Sequence, residues 1–239
     1  MRLPYLYYKG SNSLDFNLII KTKNTYDGAE RDKTYYTVPG RNGNLIVDNG
    51  SYKNVVLPYV LTLLENDHRP LRDLAADVRD WLSSKGAYFE LWDSYDPDYF
   101  RLAAVDGAVK ITATKNGRAE LTVNFNCKPL RYSFEGQRSI DISAQGGNLY
   151  NPEKETALPY IKIYGSGTIN MSINSTSDTF TDVSGYIEID CETMNAYKGS
   201  TLLNDKMTGS FPTLQPGDNA ITISGTVSKV EIVPRWCRI

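Results

Sequence analysis

The chain has 239 residues, enough for two ordinary domains or one large β domain whose core needs neither disulfide nor metal. Its 26 basic and 28 acidic residues leave a net charge of -2, with neither sign gathered in one half, which argues against a dedicated nucleic-acid binder. The N-terminus shows no apolar signal region, and the most apolar run, Val55 to Leu64, is too short to span a bilayer and contains Pro58. A cytosolic product that does not enter the membrane is therefore expected.

In chain order, Leu14, Phe16, Leu18 and Ile20 alternate with the period of a half-buried strand. A polar stretch, Lys21 to Asn44, follows and reads as a long loop in which Tyr35, Tyr36 and Val38 stand out. Leu45-Ile46-Val47 leads into Asp48-Asn49-Gly50, which predicts a turn, and Tyr52 to Leu64 predicts the next strand. One helix is predicted, with Pro70 at its first position and Leu71, Leu74, Val78, Trp81 and Leu82 on one face, ending at Gly86. Tyr88 to Trp92 and Tyr99 to Val105 read as strands joined by Asp93 to Asp98. Lys110 to Thr114 and Ala119 to Cys127 form a hairpin around Asn116-Gly117, with Leu121, Val123, Phe125 and Cys127 on one face.

The pattern changes between Pro129 and Gln145, where Pro, Gly, Arg, Ser and Gln mix, and this marks a domain boundary. Beyond it, Tyr160 to Tyr164, Thr168 to Ile173, Tyr186 to Cys191, Ala220 to Ser224 and Lys229 to Val233 read as short strands. Gly165-Ser166-Gly167, Ser184-Gly185 and Pro216-Gly217-Asp218-Asn219 separate them, which suggests a β-sandwich. The fold class is mainly β with one clear α-helix. Residues 1–132 form the first domain, with 234–239 as a candidate return to it, and 133–239 form the second. The 17 tyrosines, against 7 Phe and 3 Trp, suit half-buried sheet faces and protein contacts.

A search for catalytic or metal chemistry finds little. The single histidine, His68, precedes the helix, and no serine or cysteine lies in a nucleophile-elbow context. Cys127, Cys191 and Cys237 are far apart and in no metal-ligand spacing, so they read as reduced, buried thiols. Asp93, Asp96 and Asp98 lack the spacing and closing glutamate of a calcium loop and read mainly as a turn. Gly165-Ser166-Gly167 lacks the third glycine and following helix of a phosphate loop. Asn174-Ser175-Thr176 matches a glycosylation acceptor that a chain without a signal peptide would not present to that machinery. Catalytic, cofactor and metal residues are all expected to be absent.

Four stretches carry a resemblance. Val38-Pro39-Gly40-Arg41-Asn42-Gly43-Asn44-Leu45 with Asp48 to Asn54 resembles the N-terminal signature of distal tail proteins of long-tailed, siphovirus-type bacteriophages. Leu91-Trp92-Asp93-Ser94-Tyr95-Asp96-Pro97-Asp98-Tyr99-Phe100-Arg101-Leu102 is similar to that family's next landmark. Leu158-Pro159-Tyr160 to Gly167 is similar to the opening of its second domain, and Pro216 to Asn219 with Val230 to Trp236 resembles its ending. Their order along the chain is more specific than any one of them.

The resemblance implies a homo-oligomeric, probably six-fold, ring at the end of the tail tube. It would be built from an N-terminal tail-tube-like domain and a galectin-like β-sandwich. The implied partners are the major tail protein, a tail-associated fibre or lysin protein, and receptor-binding proteins, in a virion tail tip made in the bacterial cytoplasm. The polar stretch Lys21 to Asn44 would be an arm that wraps a neighbouring subunit, with Tyr35, Tyr36, Val38, Arg41 and Asn42 as candidate contacts. The chain carries no inserted module in its second domain, which weakens a direct role in sugar binding. The alternative reading is a carbohydrate-binding protein that stacks host wall polymer on Phe180, Tyr186 and Tyr197 of the β-sandwich. A wall-degrading enzyme would have only generic carboxylates behind it.

Overall fold

The structure is a computed structural model and describes residues 3–23 and 27–239; Asn24, Thr25 and Tyr26 of the polar stretch lie outside the described residues. The chain divides into two compact units, Met1–Arg131 with Ile239, and Tyr132–Arg238. It is mostly strand, with one α-helix among the described residues.

The first unit contains β1 (Leu6–Tyr8), β2 (Ser11–Asn12), β3 (Leu18–Lys23), β4 (Arg31–Thr37), β5 (Asn44–Tyr52) and β6 (Val55–Leu64). Helix α1 (Leu71–Ser83) follows, then β7 (Phe89–Asp93), β8 (Asp96–Ala113) and β9 (Arg118–Ser133). Its main sheet runs in the order β2-β1-β7-β8-β9-β6-β3. The core side of that sheet follows from alternation. Leu57, Tyr59, Leu61 and Leu63 of β6 face Phe125, Val123, Leu121 and Ala119 of β9 across the ladder, and all are buried. Helix α1 covers this face with Leu74, Val78, Trp81 and Leu82. Asn116 and Gly117 both take positive φ, so the predicted hairpin turn has the chirality that suits twisted strands.

The ends of the helix differ from expectation. Pro70 is the N-cap rather than the first helical residue, and Glu65 Oε1 accepts from the Leu71 N–H at 3.2 Å in place of a side-chain cap. The helix stops at Ser83, before Gly86. Lys9 Nζ donates to the Trp81 and Leu82 carbonyls at 3.1 and 3.2 Å, so a lysine from β1's far end closes the helix where no glycine does.

The second unit contains β10 (Ile140–Ile142), β11 (Gly146–Asn151), β12 (Tyr160–Ile173), β13 (Thr176–Asp190), β14 (Asn195–Lys198), β15 (Thr201–Leu202), β16 (Met207–Thr208) and β17 (Gly217–Val233). Here the expected short strands merge. Tyr160–Ile173 is one strand, and Gly165-Ser166-Gly167 bends it instead of ending it. A Cβ on Gly165 would lie 2.4 Å from the Thr226 carbonyl oxygen, so the neighbouring backbone passes where a side chain would be. Ser184-Gly185 likewise lies inside β13.

The long strands β12, β13 and β17 change register near these bends. One half of each pairs into a layer with β10, β14 and β15, and the other half into a layer with β11 and β16. Ile161 and Ile163 from the first layer and Ile169, Met171 and Ile173 from the second belong to one core. Trp236 is buried in that same core, and of residues 234–239 only Ile239 groups with the first unit.

Candidate functional site

The polar stretch folds as a β-hairpin, not a loop. β4 pairs antiparallel with β5, and among the described strands each pairs only with the other. The reversal falls at Val38 to Gly43, where Arg41 N–H donates to the Val38 carbonyl at 3.2 Å and Gly40 and Gly43 take positive φ. The predicted turn at Asp48-Asn49-Gly50 is therefore not a turn. Those residues lie within β5, at the point where the register slips between Arg31 and Lys33, and Gly50 at φ 76° absorbs the slip as a bulge. Asp48 serves the bulge by accepting from the Gly50 N–H at 2.8 Å. That bond, followed by Arg31, lowers the Asp48 carboxyl below its usual pKa. Arg31 Nε bonds both Asp48 oxygens, at 3.0 and 2.9 Å, and its guanidinium stacks 4.7 Å from the Tyr52 ring centre.

The register assigns the side chains to faces. Tyr35 stands opposite Ile46, flanked by the pairs Lys33–Asp48 and Thr37–Asn44. Tyr36 stands opposite Leu45 and Thr34 opposite Val47, and these point the other way. Both faces thus carry apolar side chains, and both are open to solvent: Tyr35 is 58% exposed and Ile46 56%, against 54% for Tyr36 and 44% for Leu45. Val38 leads into the exposed tip that carries Arg41 and Asn42. A lone two-stranded ribbon is marginal in water. One with apolar residues on both faces and unpaired outer edges is a surface awaiting a partner. Leu45, Ile46 and Val47 were read as a core strand; an Ile-Val run just before a Gly-rich polar segment was the only hint of their place on this ribbon.

The residues weighed for chemistry lie apart from the ribbon. His68 is exposed in the connection before α1. Asp93 is buried and committed: its Oδ2 takes bonds from Tyr59 Oη, at 2.7 Å, and from Lys23 Nζ, while its Oδ1 accepts the Tyr95 N–H at 2.8 Å. Burial, then the charge of Asp93, raises the Tyr59 pKa well above normal, which keeps that hydroxyl a neutral donor. Asp96 pairs with Arg131 at 3.0 Å, and Asp98 faces solvent, so the three carboxylates do not converge. Cys127, Cys191 and Cys237 are buried free thiols whose pKa values burial pushes up to about 12, which makes them poor nucleophiles. Asn174 takes the tight φ of 54° between β12 and β13, and its Nδ2 donates to Asn219 at 2.9 Å.

The three aromatic residues proposed as a sugar platform do not share a surface. Phe180 is fully buried in the second core and cannot stack on a ligand. Tyr186 lies on the outward side of β13, with Lys162 Nζ 4.2 Å from its ring centre, and Tyr197 sits opposite Glu188 on β14.

Comparison with known proteins places this geometry. Residues 10–127 match the family model of the phage tail protein RIFT-related domain. No curated protein matches the sequence. Among solved structures, the chain is similar to the Dit protein of phage SPP1, described as a paradigm of the hub adsorption apparatus in phages infecting Gram-positive bacteria. The TM-score is 0.75 at 14% identity, over 97% of this chain and 98% of that one. It is also similar to a chain of the phage p2 baseplate in its activated conformation, solved with Sr and with Ca. There the TM-score is 0.53 at 12% identity, over 97% of each chain.

Proposed function

We propose, from the premise that residues 10–127 are a phage tail protein RIFT-related domain and that the chain has the fold of the Dit hub protein, that this protein is a structural hub of a phage tail. Copies close head-to-tail into a ring, six-fold in our reading, at the distal end of the tail tube. The tube protein docks on one side and a tail-associated fibre or lysin protein on the other. The second, galectin-like unit supplies the attachment surface for receptor-binding proteins.

The observation that carries this reading is the ribbon β4–β5. It exposes apolar side chains on both faces and leaves both outer edges unpaired, so it is complete only against another chain. A protruding element that binds a different patch on the next copy makes a heterologous contact, and such contacts close rings. The role is assembly, and catalysis has no part in it. Electron microscopy of the purified protein and of tail particles tests the reading. Rings of one size are expected, and strictly monomeric protein at high concentration together with no ring in the tail would refute it.

A further inference from the structure

The first unit also holds a recess for which the fold supplies no cover. An open groove of about 420 Å³ runs between α1 and the far half of β8. Its floor is apolar: Leu71 and Ala75 from the helix, with Val109, Ile111 and Ala119 from the strands. Leu71, Ala75, Val109 and Ile111 are only partly buried, though they pack against the main core. Arg72 and Arg79, both exposed, stand at the rim. β7 pairs with β8 only as far as Ala103, so Val109 and Ile111 lie on a stretch of β8 that runs on beyond its β7 partner.

We propose that this groove receives the ribbon of the next copy, with the Tyr36–Leu45–Val47 face turned into it. The inference rests on the ring reading and names the surface that the arm meets. One unit carries both an apolar projection and an apolar recess, each open to solvent, so two copies can cover both at once where a single copy covers neither. The two patches differ, so the contact is heterologous and leaves a free ribbon and a free groove at the ends until the ring closes. The rim fits the ribbon's aromatic character. Guanidinium groups at the mouth of an apolar groove can lie over tyrosine rings, an arrangement that gains strength as water is excluded.

Cysteine pairing tests this in the full-length chain, whose three native thiols are buried. Leu45→Cys combined with Ala75→Cys should give, on mild oxidation, a ladder of covalent oligomers ending at the ring. Leu45→Cys with Thr122→Cys, which lies across the sheet, should stay largely unlinked. Ala75→Glu puts a charge into the groove at a partly exposed helical position. It should leave the melting of the chain unchanged and abolish rings at concentrations where the wild type is fully assembled. Rings that form normally with Ala75→Glu and without the Leu45–Ala75 link would overturn the groove assignment and leave the ring reading intact. A link that forms only within one chain, or preferentially to Thr122→Cys, would overturn it as well. Wild-type protein that never assembles would bring down the ring reading and the groove with it.

Discussion

Arg235 grips Asp190 through two hydrogen bonds, Nη1 to Oδ1 at 2.7 Å and Nη2 to Oδ2 at 3.2 Å, tying the C-terminal segment to the end of β13. Arg235 reaches it from a left-handed backbone, φ 56°, with its N–H on the Gly136 carbonyl at 2.7 Å. Nearby, Trp236 packs so closely on Gly136 that a Cβ there would lie 2.4 Å from the Trp236 nitrogen.

Burial alone would raise the Asp190 pKa, but the bonds from Arg235, its charge, and the Thr193 and Glu192 N–H groups outweigh it and leave the carboxyl below its usual value of 3.8. The folded state therefore binds this proton less readily than the unfolded chain does. The stabilisation is fully present above about pH 4, and it is lost as the pH falls through the depressed folded value. Asp190→Asn should cost roughly 1–3 kcal/mol at pH 7 in urea unfolding, the range for hydrogen bonds to charged groups, and should flatten the acid limb of the stability curve. Equal acid sensitivity in mutant and wild type would contradict this.

Asp178 has the opposite sign. It is buried in the second unit, its Oδ1 accepts the Ser210 N–H at 2.8 Å, and its Oδ2 has no hydrogen-bond partner among the described residues. Burial raises its pKa against the lowering effect of Ser210. The folded state then takes up this proton more readily than the unfolded chain, so the contribution to stability grows as pH falls from neutral towards the ordinary carboxylate range. Asp178→Asn keeps the Ser210 bond and removes a buried charge. It should be at least as stable as wild type at pH 7, with a gain of about 1 kcal/mol, and the gain should shrink towards pH 4. A clear loss at pH 7 would show that the carboxylate is satisfied after all.

Lys9 closes the helix by tertiary contact, and Lys9→Met should expose that dependence. Two carbonyls at the C-terminal end of α1 lose their donor, and the favourable cation at the negative end of the helix is gone. A cost of about 1 kcal/mol is expected in thermal unfolding, with the last turn of α1 showing faster amide exchange than the wild type. Unchanged exchange at Trp81 to Ser84 would mean that the Lys9 contacts do not hold the helix end.

The ribbon should behave differently from every core element. Tyr35→Ser with Tyr36→Ser removes two exposed side chains, so the stability of the unassembled chain should change by no more than about 0.5 kcal/mol. Assembly should be lost nonetheless, which sedimentation would show as a shift from ring to monomer. Rings that survive the double substitution would assign the contact to another surface.

Periodicity alone determined much of the first unit. The apolar face of α1 and the alternation along β6 and β9 state which side is buried, and Asn116-Gly117 specifies its own turn, because each of these signals depends only on near neighbours in the chain. The order of landmarks from Val38 to Trp236 likewise pointed to phage tails before any coordinate was known. Tertiary structure decided where turn residues actually turn. Asp48-Asn49-Gly50 and Gly165-Ser166-Gly167 have the composition of chain reversals, yet both lie inside strands, one as a bulge and the other as a bend against the Thr226 carbonyl. A glycine permits several backbone conformations, and only the strand beside it selects among them. The same limit hid the ribbon. Leu45-Ile46-Val47 looks like any core strand, since burial depends on what the fold places on either side of it, and here each face is open to solvent.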